Sequence, residues 1–266
     1  MHTAYPELIL RIGAFVSVFA VMAVLEIMMP RRPLSKPKWK RWFTNIGIVV
    51  LNTALLRVTF PLLAVGIAIM AQMRGWGLLN ITDEPAWLEF ILAIIALDLA
   101  IYLQHVAAHK IPVLWRLHQV HHADPDIDLT TGARFHPIEI IISMIYKMAI
   151  VIALGAPPLA VVVFEVILNA LAMFNHANFA LPERIDAVVR RLFVTPDFHR
   201  VHHSTIGRET DSNYGFNLSI WDRAFGTYIS QPEKGHQGMD IGLKAYRDDG
   251  PTTLLWCLKQ PFRNSN

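Results

Sequence analysis

The sequence predicts an all-α integral membrane protein, with about four to five membrane-embedded helices and a cytoplasmic helical cap that carries clusters of histidine. Three observations predict it. Hydrophobic residues make up 53% of the chain and charged residues only 17%, whereas soluble domains carry about 25% charged residues. Several apolar runs approach or exceed the roughly 20 residues that cross a bilayer. The basic residues, finally, collect on one side of the topology that these runs imply.

The first run extends from about Leu8 to Met29 and stops at Pro30-Arg31-Arg32. It is too long for a signal-peptide core and lacks a small-residue cleavage site, so it reads as an uncleaved anchor. Arg31, Arg32, Lys36, Lys38, Lys40 and Arg41 follow, which places this segment in the cytoplasm and the N-terminus outside. A second run, about Ile46 to Ala71, leads outward; Arg57 within it calls for a bend, an internal partner or a polar cavity. The third, about Ala86 to Ala108, returns. Ile138–Ala153 and Leu159–Phe174 form a hairpin turned by Gly155, Ala156, Pro157 and Pro158, and their lengths leave full crossing and re-entry both open. Lys147 interrupts the first arm.

With this parity, segments 30–45, 109–137 and 175–266 share one side and hold 20 of the 24 basic residues. They also hold every histidine except His2 and His105. Charge and histidine placement agree although neither was used to fix the other. The chain divides into N-terminal anchor spans (1–85), a catalytic region (86–230) and a cytoplasmic tail (231–266). The net charge of +3 does not signal nucleic acid, because the basic residues lie where membrane orientation needs them. Cys257 is the sole cysteine, which excludes an intrachain disulfide and a cysteine-based metal or redox motif.

His105 and His109 are four apart, hence on one helix face. His118, His121 and His122 form H-x-x-H-H, and His199, His202 and His203 repeat that spacing; each triplet is expected to serve one centre. His176 follows the fifth run. These nine imidazoles exceed what one ion can use and suit two. Imidazole binds Fe, Zn, Cu and Ni alike, so spacing names a dinuclear site and not its metal. Candidates to hold a ligand's outer N–H are Asp98, on the stripe of His105, together with His136, Glu139 and Asp197. His136 alternatively reads as a hydrogen-bonded core residue, and His2 and His236 as solvated. Glu233-x-x-His236 matches half of a soluble di-iron motif but has no second copy.

His105-x3-His109, His118-x2-His121-His122 and His199-x2-His202-His203 in this order resemble the fatty acid hydroxylase and sterol desaturase superfamily. His136-Pro137-x-Glu139, His176 after a hairpin, and Trp221-Asp222-Arg223-Ala224-Phe225-Gly226-Thr227-Tyr228 extend the resemblance over about residues 90–230. It implies a membrane-bound non-haem di-iron oxygenase that uses two iron ions and O2 to hydroxylate or desaturate a lipid such as a sterol or fatty acyl chain. The eight box histidines and His176 then become the metal ligands. Iron fits that task because zinc offers Lewis acidity and bound hydroxide, neither of which attacks an unactivated C–H bond.

No G-x-G-x-x-G is present, so electrons are expected from an external donor: a ferredoxin, a cytochrome-type protein or a pterin. The basic residues after Asn175 could attract an acidic donor or hold the tail to an anionic membrane surface. The implied location is a bacterial inner membrane or the endoplasmic reticulum. Two other classes compete: a zinc membrane enzyme without redox chemistry, which lacks its usual H-E-x-x-H, and a metal-binding or transport protein, whose ligands should line a path through the bilayer.

Overall fold

A computed structural model describes residues 4–263, with side chains from Glu7 onward; His2 lies outside that range. Among the described residues there are helices, turns and isolated bridges but no strand. Five segments are long and apolar enough to cross a membrane. These are α1 (Ala4–Met28), the consecutive α2 (Lys38–Thr59) and α3 (Ala64–Arg74), α4 (Ala86–Lys110), α6 (Pro137–Leu154) and α7 (Pro158–His176). Between α4 and α6 lies α5 (Pro112–His122), and α8 (Glu183–Val189) and α9 (Pro196–His202) follow α7.

Local chemistry sets these boundaries. Pro112, Pro137, Pro158 and Pro196 open α5, α6, α7 and α9, where a missing N–H costs nothing. Gly155, at φ 65°, ends α6 in the left-handed conformation and turns the expected hairpin into α7. The second apolar run is not continuous: α2 stops at Thr59, the chain extends at Phe60 and Leu63, and α3 resumes. The bend anticipated at Arg57 thus falls just after it.

Small residues let the spans approach closely, as membrane helices require. Ala64, Ala68, Ala93, Ala156 and Ala160 pack with Leu97, Val161 and Phe164 in a shared core of α3, α4, α6 and α7. Large apolar side chains such as Ile27, Phe43, Val58, Met73 and Trp87 point outward from the helices. Such extensive apolar exposure fits a hydrocarbon surround and not water. The protein is an integral membrane protein.

The cap is held by buried polar chemistry. Arg41 is fully buried, and its guanidinium donates to Asp124 at 2.6 and 2.9 Å and to Asp128 at 2.6 Å. Asn45 and Thr131 also donate to Asp124, at 3.2 and 2.9 Å. Arg134 donates to the Val120 and Pro251 carbonyls, both at 2.7 Å, and to Asn45 at 3.0 Å. The basic stretch from Arg31 to Arg41 is therefore a strap across the cap. Arg31 pairs with Asp197, Lys36 with Asp249 and Lys38 with Glu26, while Arg32 donates to the Met239 carbonyl.

Two expectations are corrected here. Residues 231–263 do not trail from the cap: Trp256 and Cys257 pack on Ile48, Val120 and Ala123, and Thr44 bonds the Thr252 carbonyl at 2.6 Å. An apolar Leu254–Cys257 turn within a polar stretch gave the segment something to bury. His236 is buried rather than solvated, 3.6 Å from Asp197, the carboxylate that Arg31 also holds.

Arg41→Ala leaves Asp124 and Asp128 buried without their cation, and is expected to cost about 3–5 kcal/mol. Denaturation in detergent micelles, followed by circular dichroism, measures the loss.

Candidate metal centre

All nine sequence-predicted histidines converge, and all are buried. They form two groups, within each of which one nitrogen from every histidine lies no more than 4.8 Å from the others: His105, His109, His118, His122 and His202, and then His121, His176, His199 and His203. The groups adjoin, since the His122 and His203 rings stack with centroids 4.6 Å apart.

Neither triplet serves one centre, as had been expected. Each is split, because neighbouring positions on a helix differ by about 100° around its axis. On α5, His118 and His122 turn to the first group and His121 to the second. On α9 and its cap the order inverts: His199 and His203 join the second group and His202 the first. Each H-x-x-H-H therefore stitches the two groups together. His105 and His109 stay together on α4, and His176 enters from the end of α7.

The imidazoles are oriented from outside. Nδ1 of His105 bonds the Tyr214 carbonyl at 2.7 Å, Nδ1 of His202 the Ser212 carbonyl at 2.7 Å, and Nδ1 of His176 the Ala172 carbonyl at 2.8 Å. Nδ1 of His118 meets the Glu139 carboxylate at 2.6 Å. A carbonyl only accepts, so these three Nδ1 atoms carry the proton and each Nε2 presents a lone pair. Yet Nε2 of His105 and Nε2 of His202 face each other at 3.1 Å. Two lone pairs repel at that distance, and a cation between them resolves the conflict.

A second observation agrees. Both nitrogens of His109, His122 and His203 are buried without a hydrogen-bond partner, as are Nε2 of His118 and Nδ1 of His121 and His199. Buried polar atoms are seldom left so, unless an ion or water completes them. Burial also holds His121, His122, His199 and His203 well below the ordinary imidazole range, with repulsion from neighbouring imidazoles adding to it. His202 falls, by burial, to about 3. Neutral imidazole is the form that binds metal. The donor set fits two nitrogen-liganded transition-metal ions.

Residues 90–227, just over half of the chain, match the fatty acid hydroxylase family. The chain belongs to that family. An ornithine lipid hydroxylase of Rhizobium tropici is 26% identical over 258 residues, 93% of this chain and 74% of its own length. Alkylglycerol monooxygenases are also similar: the human protein at 31% identity over 65% of this chain and 38% of its own, the Xenopus tropicalis protein at 26% over 86% and 50%. The chain thus spans half or less of the length of those two monooxygenases. No solved structure matches.

In this member of the family, the candidate outer groups take separate paths. Glu139 does hold a histidine, His118. His136 instead caps α6, where its Nδ1 accepts from Ile138 and its Nε2 donates to the Leu258 carbonyl. Asp197 is taken by Arg31 and Arg200. Asp98 reaches no histidine; it accepts from Trp221 Nε1 at 2.8 Å, because its helix stripe faces the loop before that residue.

Sequence reasoning missed the loop 211–217 that grips the site. Asn213 adopts φ 50°, a left-handed conformation that asparagine tolerates better than most residues. It sits between the two residues whose carbonyls hold His202 and His105. Its side chain donates to the Phe198 and Ile229 carbonyls, both at 2.8 Å. Asp222 receives the Tyr214 and Gly215 amides at 2.8 and 2.7 Å and the Thr227 hydroxyl at 2.6 Å. The Trp221–Tyr228 motif is therefore a clamp behind the histidines. Gly132 plays a similar part, since a Cβ there would lie 2.4 Å from the Ala172 carbonyl that holds His176.

Asn213→Ala is expected to weaken metal binding about 10–100-fold with helical content unchanged. Metal titration beside circular dichroism tests this.

Proposed function

We propose that the chain is a non-haem di-iron oxygenase that hydroxylates or desaturates the alkyl or acyl part of a membrane lipid, using O2 and electrons from a separate donor. The carrying observation is a juxtaposition. Nine buried imidazoles, two of which (His105 and His118) line its wall, adjoin an apolar cavity of about 600 Å³ among α1, α2, α4, α6 and α7. His105, His118 and Glu139 belong to both the cavity wall and the histidine assembly.

Iron bound by the nine histidines would supply the O2-dependent redox chemistry that a C–H bond demands and zinc lacks. The chain itself does the rest. Leu56, Ile101 and Met144 line a channel that suits a hydrocarbon chain and disfavours water. Gln104 and Phe135 border the cavity beside His105 and His118, and so shape the space in which a carbon meets the site. Phe135 stacks on His121 at 4.6 Å, and Asn52 fixes its carbonyl at 2.9 Å. Glu139 and the Ser212 and Tyr214 carbonyls keep the outer Nδ1 protons in place, which leaves each Nε2 free for metal.

The relatives act on an ornithine lipid and on alkylglycerols, and a long-chain amphiphile is the substrate class common to both. The cap, with the histidines and the basic C-terminal region, faces the cytoplasm, the N-terminus faces outward, and the donor is a ferredoxin, a cytochrome-type protein or a pterin. Ligands gathered at one level, and not strung along a path, favour chemistry over transport.

His202→Ala removes one of the facing Nε2 atoms and is expected to abolish lipid oxidation while the protein stays in the membrane. Mass spectrometry of lipids from expressing cells reads it. Wild type should convert one lipid class by one added oxygen atom or two lost hydrogens, and the variant by neither; unchanged conversion by the variant contradicts the ligand role.

A further inference from the structure

Four of the 24 basic residues fall outside the three cap segments: Arg11, Arg57, Arg74 and Lys147. All of these except Arg74 line the one cavity that ends at His105 and His118. Charges within membrane helices are costly, and those that persist face protein or water and mark function.

Most of this charge is balanced. Glu165, also on the wall, accepts from Lys147 Nζ at 2.8 Å and from Arg11 Nη2 at 2.9 Å, and Arg11 pairs again with Glu7 at 2.8 Å. Two carboxylates thus meet two cations. Arg57 is left over. Its side chain is exposed and, among the described residues, pairs with no carboxylate. A cavity built for hydrocarbon alone gains nothing from a guanidinium whose hydration a greasy chain would displace.

On the reading that this cavity holds the lipid, the geometry points to a headgroup subsite within it. Arg57 takes the anionic headgroup, a carboxylate or a phosphate, of an amphiphile whose alkyl chain runs back to the histidines, and Lys147 and Asn169 border the same space. Charge-assisted bonds to the oxygens replace the water that Arg57 loses.

Helical rise gives the scale. Arg57 lies five residues beyond Asn52, which bonds Phe135 beside His121, or about 8 Å along α2. Lys147 lies eight residues beyond Glu139, or about 12 Å along α6. The headgroup is therefore held roughly 8–12 Å along these helices from the residues that touch the histidine assembly, which leaves a length of chain between it and the reacting carbon. Such spacing selects the carbon by its distance from the headgroup.

The test is binding without turnover. The full chain in nanodiscs of phosphatidylcholine is titrated with four amphiphiles of one alkyl chain, ending in carboxylate, phosphate, alcohol or trimethylammonium, and followed by thermal shift. At least one anion should bind about tenfold or more tighter than the alcohol and the ammonium; whichever of carboxylate and phosphate leads names the source. Arg57→Gln should abolish the preference and Arg57→Lys retain most of it, and an exposed, unpaired side chain makes both variants safe for folding. Equal binding of all four, or a preference that survives in Arg57→Gln, overturns the subsite. Lipid oxidation without anion preference would refute it and spare the oxygenase. Anion preference with no lipid oxidation would do the reverse.

Discussion

Two imidazole lone pairs facing each other at 3.1 Å are the constraint on which the rest of this structure depends. His105 and His202 cannot relieve that repulsion by changing tautomer, because backbone carbonyls hold both Nδ1 protons. A metal ion bound between them would remove that repulsion. A metal that the unfolded chain cannot hold in this way would stabilise the native state by linkage. The same preorganisation leaves little to reorganise when the metal binds.

Such a site needs support from groups that do not move. Part comes from polar chemistry packed above the greasy helices: the Arg41–Asp124–Asp128 network, the Arg134 fork and the Asp222 clamp all act on loops that carry or contact the histidines. Buried ion pairs are seldom efficient stabilisers, but they tolerate few alternative geometries. The other part comes from the spans. Close alanine packing in α3, α4, α6 and α7 fixes the ends of α4 and α7, from which His105, His109 and His176 project. The apolar cavity and the histidine assembly then share one wall.

Much of this was legible in the sequence. Apolar runs, Pro and Gly punctuation and the count of basic residues gave the membrane helices, and the histidine spacings named the nine residues that converge. The splitting of each triplet was not legible, although helix periodicity contains it: positions i+3 and i+4 diverge by about 100°, and only knowledge of what faces them tells which centre each serves. Asp98 misled because a helix stripe says what shares a face and not what lies opposite. The grip of Asn213 was hidden for a different reason. It acts through backbone carbonyls of its neighbours, and a carbonyl has no signature in a sequence. The C-terminal region read as a tail because its polarity masked the short Leu254–Cys257 turn that packs beneath the cap.

The central claim is that the two histidine groups hold two ions of a redox metal. Anomalous diffraction from crystals of the purified protein, collected on both sides of the iron absorption edge, tests it most directly. The account predicts two iron peaks in each molecule, one enclosed by His105, His109, His118, His122 and His202 and the other by His121, His176, His199 and His203. A single peak, or two peaks that persist unchanged below the iron edge and rise at that of zinc, would contradict it.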